Sequence, residues 1–149
     1  MCGIAGFTTD RRVDSSNIMK EMLQSIEHRG PDESNQLSFE KISLGHVRLS
    51  IIDIANGQQP MQSRDQRYTL TFNGEIYNHL NMRRDLAVDG AAPDWRGHSD
   101  TETLLAGITH WGLDETLQRA KGMFTLALWD RSEKRLSLAR DRMGEKPLY

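Results

Sequence analysis

The residues best suited to chemistry begin at the second position. Cys2 is the one cysteine in the chain and stands beside the terminus, in Met1-Cys2-Gly3-Ile4. Removal of Met1, which a small second residue permits, would leave Cys2 with both a thiol and a free α-amine. The thiol is a nucleophile, and the amine, with a reference pKa of about 7.7–8.0, can serve as its general base. Nucleophile and base then share one residue, and no separate His or Asp has to activate the sulfur. The competing reading is a buried structural cysteine at an unprocessed terminus. Cys2 alone does not separate the two.

If Cys2 attacks an amide, the developing oxyanion needs donors. The Asn73 side chain and the Gly74 backbone N–H supply a pair, with glycine allowing close approach of a substrate. Read as a dipeptide alone, Asn73-Gly74 favours an ordinary hairpin turn over that role. An amino-acid substrate would also bring a carboxylate and an ammonium. Arg48, in a run with Val47, Leu49, Ile51 and Ile52, is a candidate fork for the carboxylate, or else a surface arginine. Asp100 is a candidate for the ammonium, or a simple cap, since it lies where a helix begins. Glu75 could orient Asn73, meet the ammonium, or stand in solvent. His28, His46, His79, His98 and His110 have no spacing typical of a metal site, and no phosphate-binding glycine loop is present.

These side chains need elements to hold them. Residues 3–7 read as a buried strand that carries Cys2 at its start. Asp14, Ser15 or Ser16 can cap a helix with Ile18, Met19, Met22, Leu23 and Ile26 at helical spacing, and residues 28–32 break it. A β-rich stretch over 36–53 sets Ile42, Leu44 and His46 against Ser43, Gly45 and Val47, and 55–60 is a loop. Residues 68–72 alternate as a strand that runs into the Asn73-Gly74 turn. Asn78 is placed to cap a short helix with Leu80, Arg83, Arg84 and Leu86, and 89–97 is a loop. Ser99 with Glu102 forms a capping-box pattern, opening a helix with Leu104, Leu105, Ile108 and Trp111 that stops at Gly112. A helix over 113–121 ends at Gly122, and strands over 123–129 and 135–140 pair across a polar turn. Met19, Met22 and Trp111 belong to the core. Residues 140–142 lead into a rigid turn at 144–147. The order suggests helices layered on sheets.

The totals bound the class. A chain of 149 residues suits one domain with a real core, or part of a larger one. An apolar content of 37% and a mean hydropathy of −0.63 fit a soluble protein. A net charge of −2 gives no general pull toward nucleic acid or an anionic membrane. A single cysteine rules out a disulfide framework and multi-cysteine metal sites. No apolar run approaches the roughly 18 residues of a membrane span, and no signal peptide is recognisable. The expected location is the cytoplasm, where a reactive thiol stays reduced.

Several stretches, taken in order, resemble one family closely. They are residues 1–6 (Met-Cys-Gly-Ile-Ala-Gly), 28–32 (His-Arg-Gly-Pro-Asp), 45–53, Gln59-Pro60, 73–78, 99–102 and 140–144. The chain is similar throughout to the N-terminal glutaminase domain of glutamine-hydrolysing asparagine synthetase, a class II glutamine amidotransferase. The resemblance implies an α+β, N-terminal-nucleophile hydrolase fold, an αββα sandwich of antiparallel sheets between helices. It implies that Cys2 attacks the side-chain amide of glutamine, that its α-amine carries the proton, and that a γ-glutamyl thioester is then hydrolysed. Asn73 and Gly74 would form the oxyanion hole. Arg48 and Asp100 would hold the carboxylate and ammonium, with Glu75 helping and the Leu49, Ser50, Ile51 and Ile52 backbone lining the pocket.

The family carries further strands after the segment that ends at Tyr149, and then an ATP-dependent synthetase domain whose Ser-Gly-Gly loop these residues lack. The expectation is one incomplete amidotransferase domain over 1–149, truncated on its C-terminal side, with an exposed sheet edge. No cofactor is expected for the glutaminase step; ATP and Mg belong to the absent synthetase domain. The implied partners are glutamine and a synthetase domain or subunit that accepts the ammonia, with room for a homodimer in the full-length protein and no role for nucleic acid or membrane. Two alternatives stand beside this: a glutaminase for a phosphoribosyl-, sugar-phosphate- or polysaccharide-modifying acceptor, and a non-catalytic module that binds glutamine or a partner.

Overall fold

The computed structural model describes residues 2–10, 14–49 and 57–149. Two antiparallel sheets face each other. One has the order β1-β3-β2, from β1 (Gly3–Thr8), β2 (Glu33–Ser38) and β3 (Ile42–Arg48); the other runs β4-β5-β6-β7, from β4 (Met61–Gln62), β5 (Tyr68–Ile76), β6 (Gly122–Asp130) and β7 (Arg135–Arg140). Helix α1 (Ser15–Ser25) covers the outside of the first sheet. Helices α2 (His79–Val88), α3 (Asp100–Trp111) and α4 (Leu113–Arg119) lie on the side of the second. This is the α+β sandwich expected from the sequence.

Central strand β3 is buried along its whole length because both of its faces are covered. Val47 packs with Met19 and Leu23 of α1, and successive side chains of a strand point to opposite faces. Ile42, Leu44, His46 and Arg48 therefore point the other way, toward the second sheet. Strands β5 and β6 divide in the same manner. Leu70, Phe72, Ile76, Phe124, Leu126 and Leu128 join Met82, Leu104, Leu105 and Ile108 in the largest apolar cluster, under the helices. Thr69, Thr71 and Asn73 face the first sheet.

The seam between the sheets is graded as a result. One end is apolar, with Ile42, Leu44 and Ala127 joined by Phe39, Trp129 and Leu136. A hydrogen bond from Thr71 Oγ1 to the Gly45 carbonyl, at 3.3 Å, crosses the middle. The other end holds His46, Arg48 and Asn73, all buried. Polar side chains cost free energy to bury unless they are partnered, so an end of this composition serves something other than cohesion.

Three local expectations change. Asn73-Gly74 makes no turn: β5 continues through it, with Asn73 opposite Thr125 and Gly74 opposite Phe124. The glycine answers a close approach of β6, since a Cβ there would run into the Met123 carbonyl oxygen and lie 2.6 Å from Phe124 Cα. Asn78 precedes α2 but does not cap it with its side chain; Nδ2 donates to the Arg119 carbonyl and Oδ1 accepts from Lys121 N. At α3, Ser99 Oγ accepts from Glu102 N as a capping box requires. Glu102 instead turns its carboxylate to the Arg96 and Gly97 amides and pins the loop before the helix.

Candidate active site

Register brings the site together. Gly3 pairs with Val47 across β1 and β3, so Cys2, one residue outward, comes level with Arg48. The Cys2 thiol is half-buried and points to the Leu49 carbonyl at 3.8 Å. Arg29 Nε donates to the Cys2 carbonyl at 3.1 Å, which fixes the backbone of the nucleophile. The rest of residues 28–32 clamps the end of β3. Pro31 bridges to Arg48, and Asp32 N donates to the Arg48 carbonyl at 3.1 Å. Gly30 lies so close that a Cβ would collide with Val47 and Arg48 backbone atoms. The break after α1 is therefore also a brace for the site.

Arg48 is 4% exposed, and its Nη1 reaches both carboxylate oxygens of Glu33 at 3.3 Å. A buried guanidinium held in this way keeps its orientation. Asp100 opens α3. Its Oδ2 accepts from Ile76 N at 2.8 Å and its Oδ1 from Thr101 N at 2.9 Å. Burial pushes the Asp100 carboxyl above its ordinary range, against the pull of those two amides.

Strand β5 supplies the opposite wall. Phe72 N donates to Gln59 Oε1 at 2.6 Å, and Ile76 N donates to Asp100. Neither amide is used in pairing with β6. Backbone amides alternate in direction along a strand, so the Gly74 N–H, between those two, opens on the same edge. That edge borders a cavity of about 190 Å³ lined by Cys2, His46, Arg48, Leu49, Gly57, Gln59, Phe72, Asn73, Gly74, Glu75, Ser99, Asp100, Thr101, Met123 and Lys146. Cys2, Arg48, Leu49, Asn73, Gly74, Glu75 and Asp100 thus surround one space. Glu75 is exposed and stands at its rim. Ser50, Ile51 and Ile52 lie outside the described residues. Among the described residues, no three His, Cys, Asp or Glu side chains gather as a metal centre would need.

The chain matches the family described as "Glutamine amidotransferase domain" over residues 1–149. It belongs to that family. A relative named asparagine synthetase [glutamine-hydrolyzing] 1, from Bacillus subtilis, is 39% identical across all of this amidotransferase chain, which spans 24% of that relative's length. The amidase chyE of Penicillium rubens is 37% identical, again over the whole chain and 24% of the relative. A solved glutamine phosphoribosylpyrophosphate amidotransferase from B. subtilis shares the fold at a TM-score of 0.66 and 22% identity, covering 94% of this chain and 36% of that one. The amidotransferase chain therefore has the N-terminal-nucleophile fold.

Gln59, Lys146 and His46 also line the amidotransferase site, and none of them was given a role in it from sequence. Gln59 joins the sheet to the helix, its Oε1 on Phe72 N and its Nε2 on Thr101 Oγ1 at 3.4 Å. Lys146 is 6% exposed, on a segment gathered by Asp141, whose carboxylate accepts from Phe124, Glu145 and Lys146 amides. Burial works to raise the Asp141 carboxyl, but these amides outweigh it and hold it below its usual range. His46 is 1% exposed. Burial, opposed by a hydrogen bond to the Phe72 backbone and aided by Arg48, lowers its pKa to about 4. Its position two residues before Arg48, on the same strand face, was the available signal.

Proposed function

We propose that the chain hydrolyses glutamine to glutamate and ammonia at Cys2. With Met1 removed, the α-amine takes the thiol proton, and the sulfur attacks the side-chain amide carbon. The Asn73 side chain and the Gly74 N–H stabilise the oxyanion. The amine passes the proton to the leaving nitrogen, ammonia departs, and water cleaves the γ-glutamyl thioester to release glutamate. Arg48 holds the α-carboxylate, and Asp100, with Glu75 at the rim, meets the α-ammonium. The Leu49 backbone borders the same space. The observation that carries this reading is the Gly74 amide, turned away from β6 onto the cavity that Cys2 also borders.

The ammonia then serves an ATP-dependent amidation of the asparagine-synthetase type, in a synthetase domain or subunit that also holds ATP and Mg. The glutaminase step needs neither. Identity of 39% over the whole chain with a relative of that name favours this acceptor over a phosphoribosyl or sugar-phosphate one. A reducing, cytoplasmic compartment suits the lone thiol. Glutamine-dependent ammonia release tests the reading: it should disappear in Cys2→Ala and persist in surface variants remote from the cavity. Intact mass is the companion measurement. Retention of Met1 in every molecule, with no ammonia released, would leave only a non-catalytic binding module.

A further inference from the structure

One group lining the cavity is left unused by the chemistry above. His46 points from the inner face of β3 and hydrogen-bonds to the Phe72 backbone. Its Nε2 is buried and, among the described residues, has no hydrogen-bond partner. Arg48 stands two residues along on the same face, so a second cation would sit beside the guanidinium with little water to screen it. The ring is neutral. Its one N–H goes to the Phe72 carbonyl, which leaves Nε2 a lone pair and nothing to donate. A buried acceptor beside a cavity calls for a donor on the occupant.

We propose that His46 Nε2 accepts a hydrogen bond from the carboxamide N–H of bound glutamine, and so selects an amide over a carboxylate at the reacting end of the substrate. This rests on the glutaminase reading. Position argues for the reacting end. His46 pairs with Ile4, two residues from Cys2, and its ring is tied to Phe72, the neighbour of Asn73. The other donor on glutamine, the α-ammonium, has a carboxylate of opposite charge in Asp100. Glutamine and glutamate differ only in NH₂ against oxygen at the reacting end. An amide N–H is drawn to the Nε2 lone pair, whereas a carboxylate oxygen meets it lone pair against lone pair. The same contact that admits the substrate therefore disfavours the product.

The test compares kcat/KM for glutamine with that for the γ-methyl ester of glutamate, which forms the same thioester from a leaving atom that carries no N–H. In His46→Leu the amide-to-ester ratio should fall about tenfold, and inhibition by glutamate should strengthen. His46→Gln, whose Oε1 can place an acceptor near the same point, should recover most of the ratio. A merely structural role would lower both substrates together; an unchanged ratio across both variants overturns the assignment of His46 alone. A wild-type protein that cleaves neither substrate overturns the glutaminase reading itself. Should His46→Leu fail to fold, calorimetry of glutamine and glutamate binding to the Cys2→Ala protein decides: tighter glutamine binding supports the contact, and equal affinities overturn it.

Discussion

The Gly74 amide is a backbone donor that β5 turns away from its own ladder. Its residue must be glycine because β6 passes too close for a side chain, and Asn73 beside it projects toward the first sheet. These two requirements predict different failures. Gly74→Ala would drive its methyl into Met123 and Phe124, and should cost about 1–3 kcal/mol of stability in denaturant titration. Asn73→Ala should fold normally and lower glutamine turnover by roughly 10²–10³-fold in steady-state assays. Arg48→Lys keeps the charge but loses the planar fork, so its effect should fall mainly on KM for glutamine, with kcat little changed. The candidate residues that gather around the cavity were legible because each belongs to a short run with its own character. The Asn73-Gly74 dipeptide was misread as a turn because turn statistics are local. The strand that excludes a Cβ at Gly74 lies about fifty positions further along the chain.

Among the elements, short irregular segments matter as much as strands. Residues 28–32 brace the end of β3, and the segment after β7 is gathered by the Asp141 carboxylate onto Phe124, Glu145 and Lys146 amides. Asp141→Ala should leave those buried donors unmet. A loss of about 1–3 kcal/mol is expected in denaturant titration, accompanied by weaker glutaminase activity as the Lys146 wall loosens. Sequence patterns located these segments as breaks and turns but not what they hold. The helices α1 and α3 were legible from apolar spacing and caps, since both signals are contained within each helix. The side-chain partners of Asn78 were not, because Arg119 ends α4 and Lys121 lies just beyond it, some forty positions along the chain. Nor was the burial of both faces of β3, which depends on a second sheet and a helix arriving from opposite sides.

For the molecule as a whole, the polar end of the seam sets a pH limit. Burial lowers His46 to about 4 in the folded chain, from the ordinary imidazole value of 6.5 that it has when unfolded. The unfolded chain therefore binds the proton more readily between those values. The stabilisation is fully present above pH 6.5 and is lost as the pH falls through 4, amounting to about 3 kcal/mol. Thermal melts should show Tm falling across that window in wild type, with a flatter profile in His46→Gln. At the opposite end of the seam Ile42, Leu44 and Ala127 pack as plain hydrocarbon. Adhesion and reactivity consequently occupy separate halves of a single interface. Sequence drift, or a deliberate effort to harden the protein against heat, can work on the oily half while the reacting half stays as it is.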